Sequence, residues 1–282
     1  LKKQFILVAA GVVLVALLFF FGKTEHAKKP LAATKEDPSE KSFDIQQFIS
    51  AEKAKLSPES VILLSKMENG ISRGDVVAQQ IKANEALAAY WKDSVKSYEP
   101  YVFYISEAAK LDNSEKKLTF AARLFLDNLR SENDEAKLKW ETNEAIGLFE
   151  RAIKLNPEND DLRIGLGSCY IFGKGRNGNP QETMQGIQEL LSVVRKDSTN
   201  MKAQLVLGIG GLVSGQVDKA LERLKKVVAA EPNNIEALTF LAQAYGAKGE
   251  KESAIKYYTT AKRLVNDPHF TQEVDAKIQE LK

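Results

Sequence analysis

The sequence is poor in the residues that most often carry chemistry. Its 282 residues include one cysteine and two histidines. A single thiol can close no internal disulfide and cannot furnish a cysteine-based zinc site. Cys169 sits in the apolar stretch Leu166-Gly167-Ser168-Cys169-Tyr170 and reads as a small buried hydrophobe rather than a reactive thiol. His26 and His269 are far apart and neither has a second histidine at helical spacing, so the usual metal and triad constellations lack their parts. An excess of one charge is also missing. Forty basic and 38 acidic residues leave a formal net charge of +2. No basic stripe suggests nucleic acid, and no acidic run suggests a disordered tail. Sustained two-residue alternation and Asn-Gly hairpins between β-branched runs are absent, which excludes a sheet protein. The carboxylates form no spaced pair in a catalytic setting. The expectation is a chain with no catalytic residues, no metal, no cofactor and no nucleic-acid partner.

What remains is globular: 44% hydrophobic and 28% charged residues. The exception is Phe5 to Phe21, FILVAAGVVLVALLFFF, an apolar run without a charge. Seventeen helical residues span about 26 Å, just short of a hydrocarbon core, and Gln4 and Gly22 can extend them. The run is apolar on every face, unlike a core helix. Phe19-Phe20-Phe21-Gly22-Lys23-Thr24 is a poor cleavage site, and no cysteine follows for lipid attachment. Residues 1–22 are therefore expected to be an uncleaved transmembrane helix rather than a removed signal peptide. Lysines flank both sides, so charge alone does not orient it. The short flank with Lys2 and Lys3 predicts a cytoplasmic N-terminus, a single pass through the inner membrane of a bacterial envelope, and a periplasmic bulk. Residues 23–42 are polar, contain Pro30 and Pro38, and read as a flexible tether.

From Phe43 onward the pattern is helical. Residues 43–56 form a first amphipathic candidate. Ser57-Pro58-Glu59 marks a helix start, with Ser57 as cap and Pro58 in the first turn. Asp75 is expected to open a longer helix ending near Val95, and Pro100 another, rich in tyrosine. In the C-terminal half a period emerges. Leu207-Gly208 and Leu241-Ala242 are 34 residues apart, as are Ala220 and Ala254, and Leu224 and Tyr258. Small residues recur at Ala145 and Ala152, with Phe149 between them. Such a period of helix-turn-helix units marks a solenoid.

These residues resemble the tetratricopeptide repeat (TPR) family. The resemblance covers residues 115–268, best at 201–234 and 235–268, with seven extra residues at the inner turn of 160–200 and a charged insertion around 131–139. It implies an all-α, right-handed superhelical solenoid of TPR-like hairpins preceded by one transmembrane helix. Residues 43–114 are expected to hold degenerate hairpins. Residues 269–282 should form a capping helix with Phe270, Val274, Ile278 and Leu281 on one face. By the family analogy the second, fifth, sixth and ninth residues of each unit line a concave, protein-binding groove. These are Asp161, Ile164, Gly165 and Ser168; Lys202, Leu205, Val206 and Ile209; and Glu236, Thr239, Phe240 and Gln243. The family's carboxylate grip needs several basic and amide residues, and only Lys202 stands there, so the groove is expected to take apolar or helical segments of other proteins.

Three further features need weighing. Phe172-Gly173-Lys174-Gly175-Arg176 lacks phosphate-loop spacing and follows no strand, so it reads as a lengthened turn suited to touching a partner. Gly208, Gly210 and Gly211 lie within one helix, each at a cost of about 1 kcal/mol against alanine, and imply either a close approach or a soft helix. Trp91, Trp140 and the Tyr98–Tyr104 cluster read as packing. Function is expected to be that of a membrane-anchored scaffold for other proteins. The alternatives are a structural protein that associates with copies of itself as a homo-oligomer, and an enzyme hidden in residues 43–114.

Overall fold

The computed structural model describes residues 42–72, 76–177 and 180–282. The apolar run Phe5–Phe21 and the tether lie outside them. Among the described helices none is long and apolar enough to cross a membrane.

The described residues are helical throughout, with no strand. In order they form α1 (Ile45–Lys53), α2 (Pro58–Ser72), α3 (Val77–Tyr90), α4 (Tyr98–Asp112), α5 (Glu115–Asn128), α6 (Glu135–Leu155), α7 (Asp160–Phe172), α8 (Pro180–Lys196), α9 (Met201–Val213), α10 (Val217–Ala230), α11 (Ile235–Ala247), α12 (Lys251–Leu264) and α13 (Pro268–Leu281). Successive helices pair as hairpins, α3 with α4 through α11 with α12. First helices also touch across units, α5 to α7, α7 to α9 and α9 to α11. Residues 77–112 thus add a hairpin of the same stacking kind ahead of the array read from sequence.

Local chemistry explains the boundaries. Asn159, Asn200 and Asn234 precede α7, α9 and α11, and each side-chain oxygen accepts a backbone N–H of the first turn. Gly215 (φ +73°) and Gly249 (φ +83°) make the inner turns of the last two hairpins, a left-handed backbone that side chains resist. Two expectations need correction. The tyrosine-rich helix opens at Tyr98, with Pro100 in its first turn, where the missing N–H has no intrahelical acceptor anyway. The charged insertion expected to separate the two helices of its unit around 131–139 is itself helical beyond Asp134. Asp134 caps α6 by accepting from the Ala136 and Lys137 amides, and the helix absorbs the extra residues by lengthening to 21 residues.

The core runs the length of the stack. Phe125, Phe149, Leu162, Ile171, Leu190 and Leu224 are fully buried within one continuous cluster. A second cluster around Ile49, Leu64, Leu87 and Trp91 joins α1 and α2 to the first hairpin. Truncating one of the buried aromatics to alanine would cost about 3–5 kcal/mol. Cys169 is wholly buried, as read, and burial pushes its thiol pKa well up. Trp140 packs edge-on against Phe125 and beside Phe43. Tyr98 donates its hydroxyl to the Leu124 carbonyl at 2.5 Å, and Tyr104 is buried. Val274 and Ile278 of α13 are buried against Ala242 and Tyr258.

The glycines of α9 mark close approach rather than softness. A Cβ at position 208 would stand 2.7 Å from Leu224 Cγ, one at 210 the same distance from Ile171 Cδ1, and one at 211 within 3.2 Å of the Ala220 backbone nitrogen. The helix accepts the weaker propensity because any side chain there would part it from α7 and α10.

Candidate functional site

The first helices of successive hairpins share one side of the stack, and ion pairs tie them across it. Asp161, second in its unit on α7, lies 3.4 Å from the Lys202 ammonium on α9 and 3.9 Å from the Arg123 guanidinium on α5. Just past the C-terminal end of α5, Arg130 pairs with Glu236 on α11, 106 residues away, and lays its guanidinium 3.9 Å from the centre of the Phe172 ring. All these groups are at least partly open to water, so each pair is worth only about 0–1 kcal/mol. Their value is geometric: they show that α5, α7, α9 and α11 face the same space.

The expected groove residues divide into two sets. Asp161, Lys202 and Gln243 are exposed, and Glu236, Thr239 and Phe240 are half-buried. Ile164, Gly165, Ser168, Leu205, Val206 and Ile209 are buried. Ser168 gives its hydroxyl to the Ile164 carbonyl at 2.7 Å, and Thr239 gives its own to the Ile235 carbonyl at 2.8 Å. The burial has a physical source. Gly165 packs directly on the Phe149 ring and Gly210 on Ile171, so neighbouring helices close over the side chains between them. A recess of about 480 Å³ remains at the C-terminal end, lined by Ala242, Gln243, Gly246, Tyr258, Lys277, Glu280 and Leu281.

The glycine-rich turn after Phe172 is committed to the fold. Arg176 donates to the Leu129 and Glu132 carbonyls, each at 2.8 Å, and so closes the C-terminal end of α5. Lys174 lies 3.6 Å from Glu182. A side chain at 173 would strike Thr142. These contacts tie the described part of the turn, residues 173–177, to its own array. Arg176→Gln is expected to lower stability by about 1–2 kcal/mol and to speed amide exchange at the end of α5, since two carbonyls lose a charged donor. Unchanged exchange there would show that the contact carries no weight.

Elsewhere, a cleft of about 560 Å³ opens between α1, α2, α3 and α4. Its polar lining is largely paired internally: Lys53 with Glu68 at 2.5 Å, and the Asn84 amide with the Gln80 carbonyl at 2.9 Å. Trp91 Nε1 is buried without a hydrogen-bond partner where α3 widens into a π turn. Among the described residues no group of three His, Cys, Asp or Glu side chains could hold a metal.

Sequence reasoning missed two features. One is Glu141 of α6, fully buried with both oxygens accepting from the Asn128 amide at 2.9 and 3.1 Å. Burial raises its pKa to about 7, only partly offset by Asn128. A glutamate inside a helix reads as surface until the neighbouring hairpin covers it. The other is the first unit of the groove. The register that selects Lys202 and Glu236 also selects Lys116, Thr119, Phe120 and Arg123 in the unit opening at Glu115.

Paired helices stacked in register define a helical-repeat solenoid. Residues 212–271 match the family model for the tetratricopeptide repeat. The described stack is accordingly an all-helical solenoid of TPR-like units. BBSome complex member BBS4 of Bos taurus is 30% identical over 131 residues, which cover 46% of this chain and 24% of that protein. Cellulose synthase operon protein C of Escherichia coli strain K12 is 39% identical over 62 residues, 22% of this chain and 5% of that one. The chain thus spans about a quarter or less of the length of these curated relatives. In fold it is similar to a thermophilic TPR protein of Thermus thermophilus, with a TM-score of 0.53 at 17% identity, covering 71% of this chain and 98% of the other.

Proposed function

We propose that this chain is a non-enzymatic docking scaffold, with the shared side of its first helices receiving segments of other proteins and the Phe5–Phe21 run holding it at a bacterial inner membrane, the array on the periplasmic side. The observation that carries the docking reading is the row of unlike, solvent-open side chains on successive first helices: Lys116, Phe120 and Arg123 on α5, Asp161 on α7, Lys202 on α9 and Gln243 on α11. A rigid, pre-formed surface of this kind binds without first ordering itself, which lowers the entropic cost of association. The relative named as a member of a complex is in keeping with such a role. The membrane placement rests on the length and apolar character of the run alone.

A photo-cross-linking side chain at Lys202 or Gln243 of the full chain is expected to trap other polypeptides several-fold more than one at Glu222, which is exposed on the second helix α10. Equal trapping at all three positions would overturn the docking reading. Alkaline phosphatase fused after Lys282 should be active if the array is exported. A stable but inactive fusion would overturn the placement.

A further inference from the structure

Phe120 differs from its counterparts along the groove. Its register counterparts Gly165 and Val206 are buried and Phe240 is half-buried, whereas Phe120 is 52% exposed on the same side of the stack. Its neighbours on the exposed stripe of α5 are cations. Lys116 stands one turn before it and Arg123 one turn after. Among the described residues Lys116 has no acidic partner within ion-pair distance. Arg123 shares the single carboxylate of Asp161 with Lys202, at 3.9 and 3.4 Å. Among the described residues these three cations therefore have one ion-paired carboxylate, Asp161, on the side of the exposed aromatic ring. Farther along the stripe the surplus ends at the exposed Asp127, one turn after Arg123, and Arg130, just past the end of α5, is taken up by Glu236 and Phe172. The open strip from 116 to 123 is about 10 Å long, the reach of three extended residues or two helical turns.

We propose that this strip anchors an acidic segment of a partner protein, with one apolar side chain laid on Phe120 and carboxylates meeting Lys116 and Arg123. The inference rests on the docking reading above and names its partner class. Charge complementarity selects the occupant: an acidic chain gains two incompletely neutralised cations, whereas a basic one meets them as like charges. The ring supplies the apolar contact on which such anchors depend, and the cations around it supply register.

The test uses the full chain in a neutral detergent and dye-labelled synthetic peptides of equal length. One is rich in Asp and Glu with two leucines, one has serines in place of the leucines, and one has lysines in place of the acids. The acidic leucine peptide is expected to bind saturably and to weaken with added salt. Phe120→Ser and Arg123→Gln should each weaken it about tenfold. Both side chains are exposed, and the helical circular dichroism of the variants should match that of the parent. The serine peptide should bind several-fold more weakly, and the lysine peptide should not bind. The proposal fails if no peptide binds, if the lysine peptide binds equally, or if Phe120→Ser leaves the affinity intact. It fails equally if Phe120→Ser abolishes self-association or adhesion to phosphatidylserine vesicles without any peptide having bound. Peptide failure with persisting cross-links from Gln243 would remove the acidic partner and leave the docking reading standing.

Discussion

Gly186→Ala is expected to destabilise the array by about 2–3 kcal/mol, while Gly147→Ala stabilises it by up to about 1 kcal/mol. Both glycines lie inside helices, Gly186 in α8 and Gly147 in α6. Intrinsic propensity alone would favour alanine at both positions. The surroundings decide otherwise. A Cβ at 186 would stand 2.7 Å from the Gly167 carbonyl oxygen, and one at 167 would stand 2.9 Å from the Gly186 carbonyl oxygen. Here α7 and α8 meet backbone to backbone, and a backbone cannot swing aside as a side chain can. At 147 nothing lies within 4 Å. Urea denaturation followed by circular dichroism should move the two midpoints in opposite directions. If Gly186→Ala proved as stable as the parent, the close crossing of this hairpin would be refuted. Because repeat arrays can lose cooperativity, the slope of each transition should be compared as well.

Glu141 is expected to make the array less stable as the pH rises. Its pKa is about 7 in the folded chain against 4.5 for a free glutamate. Below about 4.5 the carboxyl is protonated in both states and imposes no electrostatic penalty. Between those values the folded chain must hold a proton that the unfolded chain releases, and each pH unit costs about 1.4 kcal/mol. Above about 7 the folded chain carries a buried carboxylate, and the full loss is on the order of 3 kcal/mol. Asn128 is its hydrogen-bond partner, and the nearby Lys137 already pairs with Glu99. Glu141→Gln keeps the shape and an acceptor for Asn128 while removing the charge. The variant should match the parent near pH 4.5 and exceed it by that amount at pH 8. Several surface carboxylates, the half-buried Asp112 and the exposed Asp197 among them, have lowered pKa values and act in the opposite sense, so the readout is the difference between variant and parent. A difference that stayed constant with pH would show that Glu141 does not titrate in this window.

The repeat could be read directly because its determinants are local and periodic. Ala220 and Ala254 recur where hairpins pack, Leu224 and Tyr258 fill the groove between them, and both of each pair are buried as their spacing implied. The asparagine caps and the turn glycines Gly215 and Gly249, seen in the structure, are equally local, since each acts within a few residues of itself. The helix carrying Val274 and Ile278 declared itself by one apolar stripe.

The state of the groove could not be read this way. Register put Ile164, Ser168, Leu205 and Ile209 on the shared side of the first helices, but their exposure depends on how closely α7 and α9 approach, and that is set by glycines whose neighbours come from other helices. Arg130 finds Glu236 across 106 residues, and Arg176 reaches back 47 residues to close α5. Glu141 changes character only when the α5–α6 hairpin and its neighbours surround it. Periodicity, caps and turns state what each helix is, because they are properties of the chain within one turn or one unit. Open surface, paired charge and shifted pKa belong to distances between units, and those arise only when the hairpins are stacked.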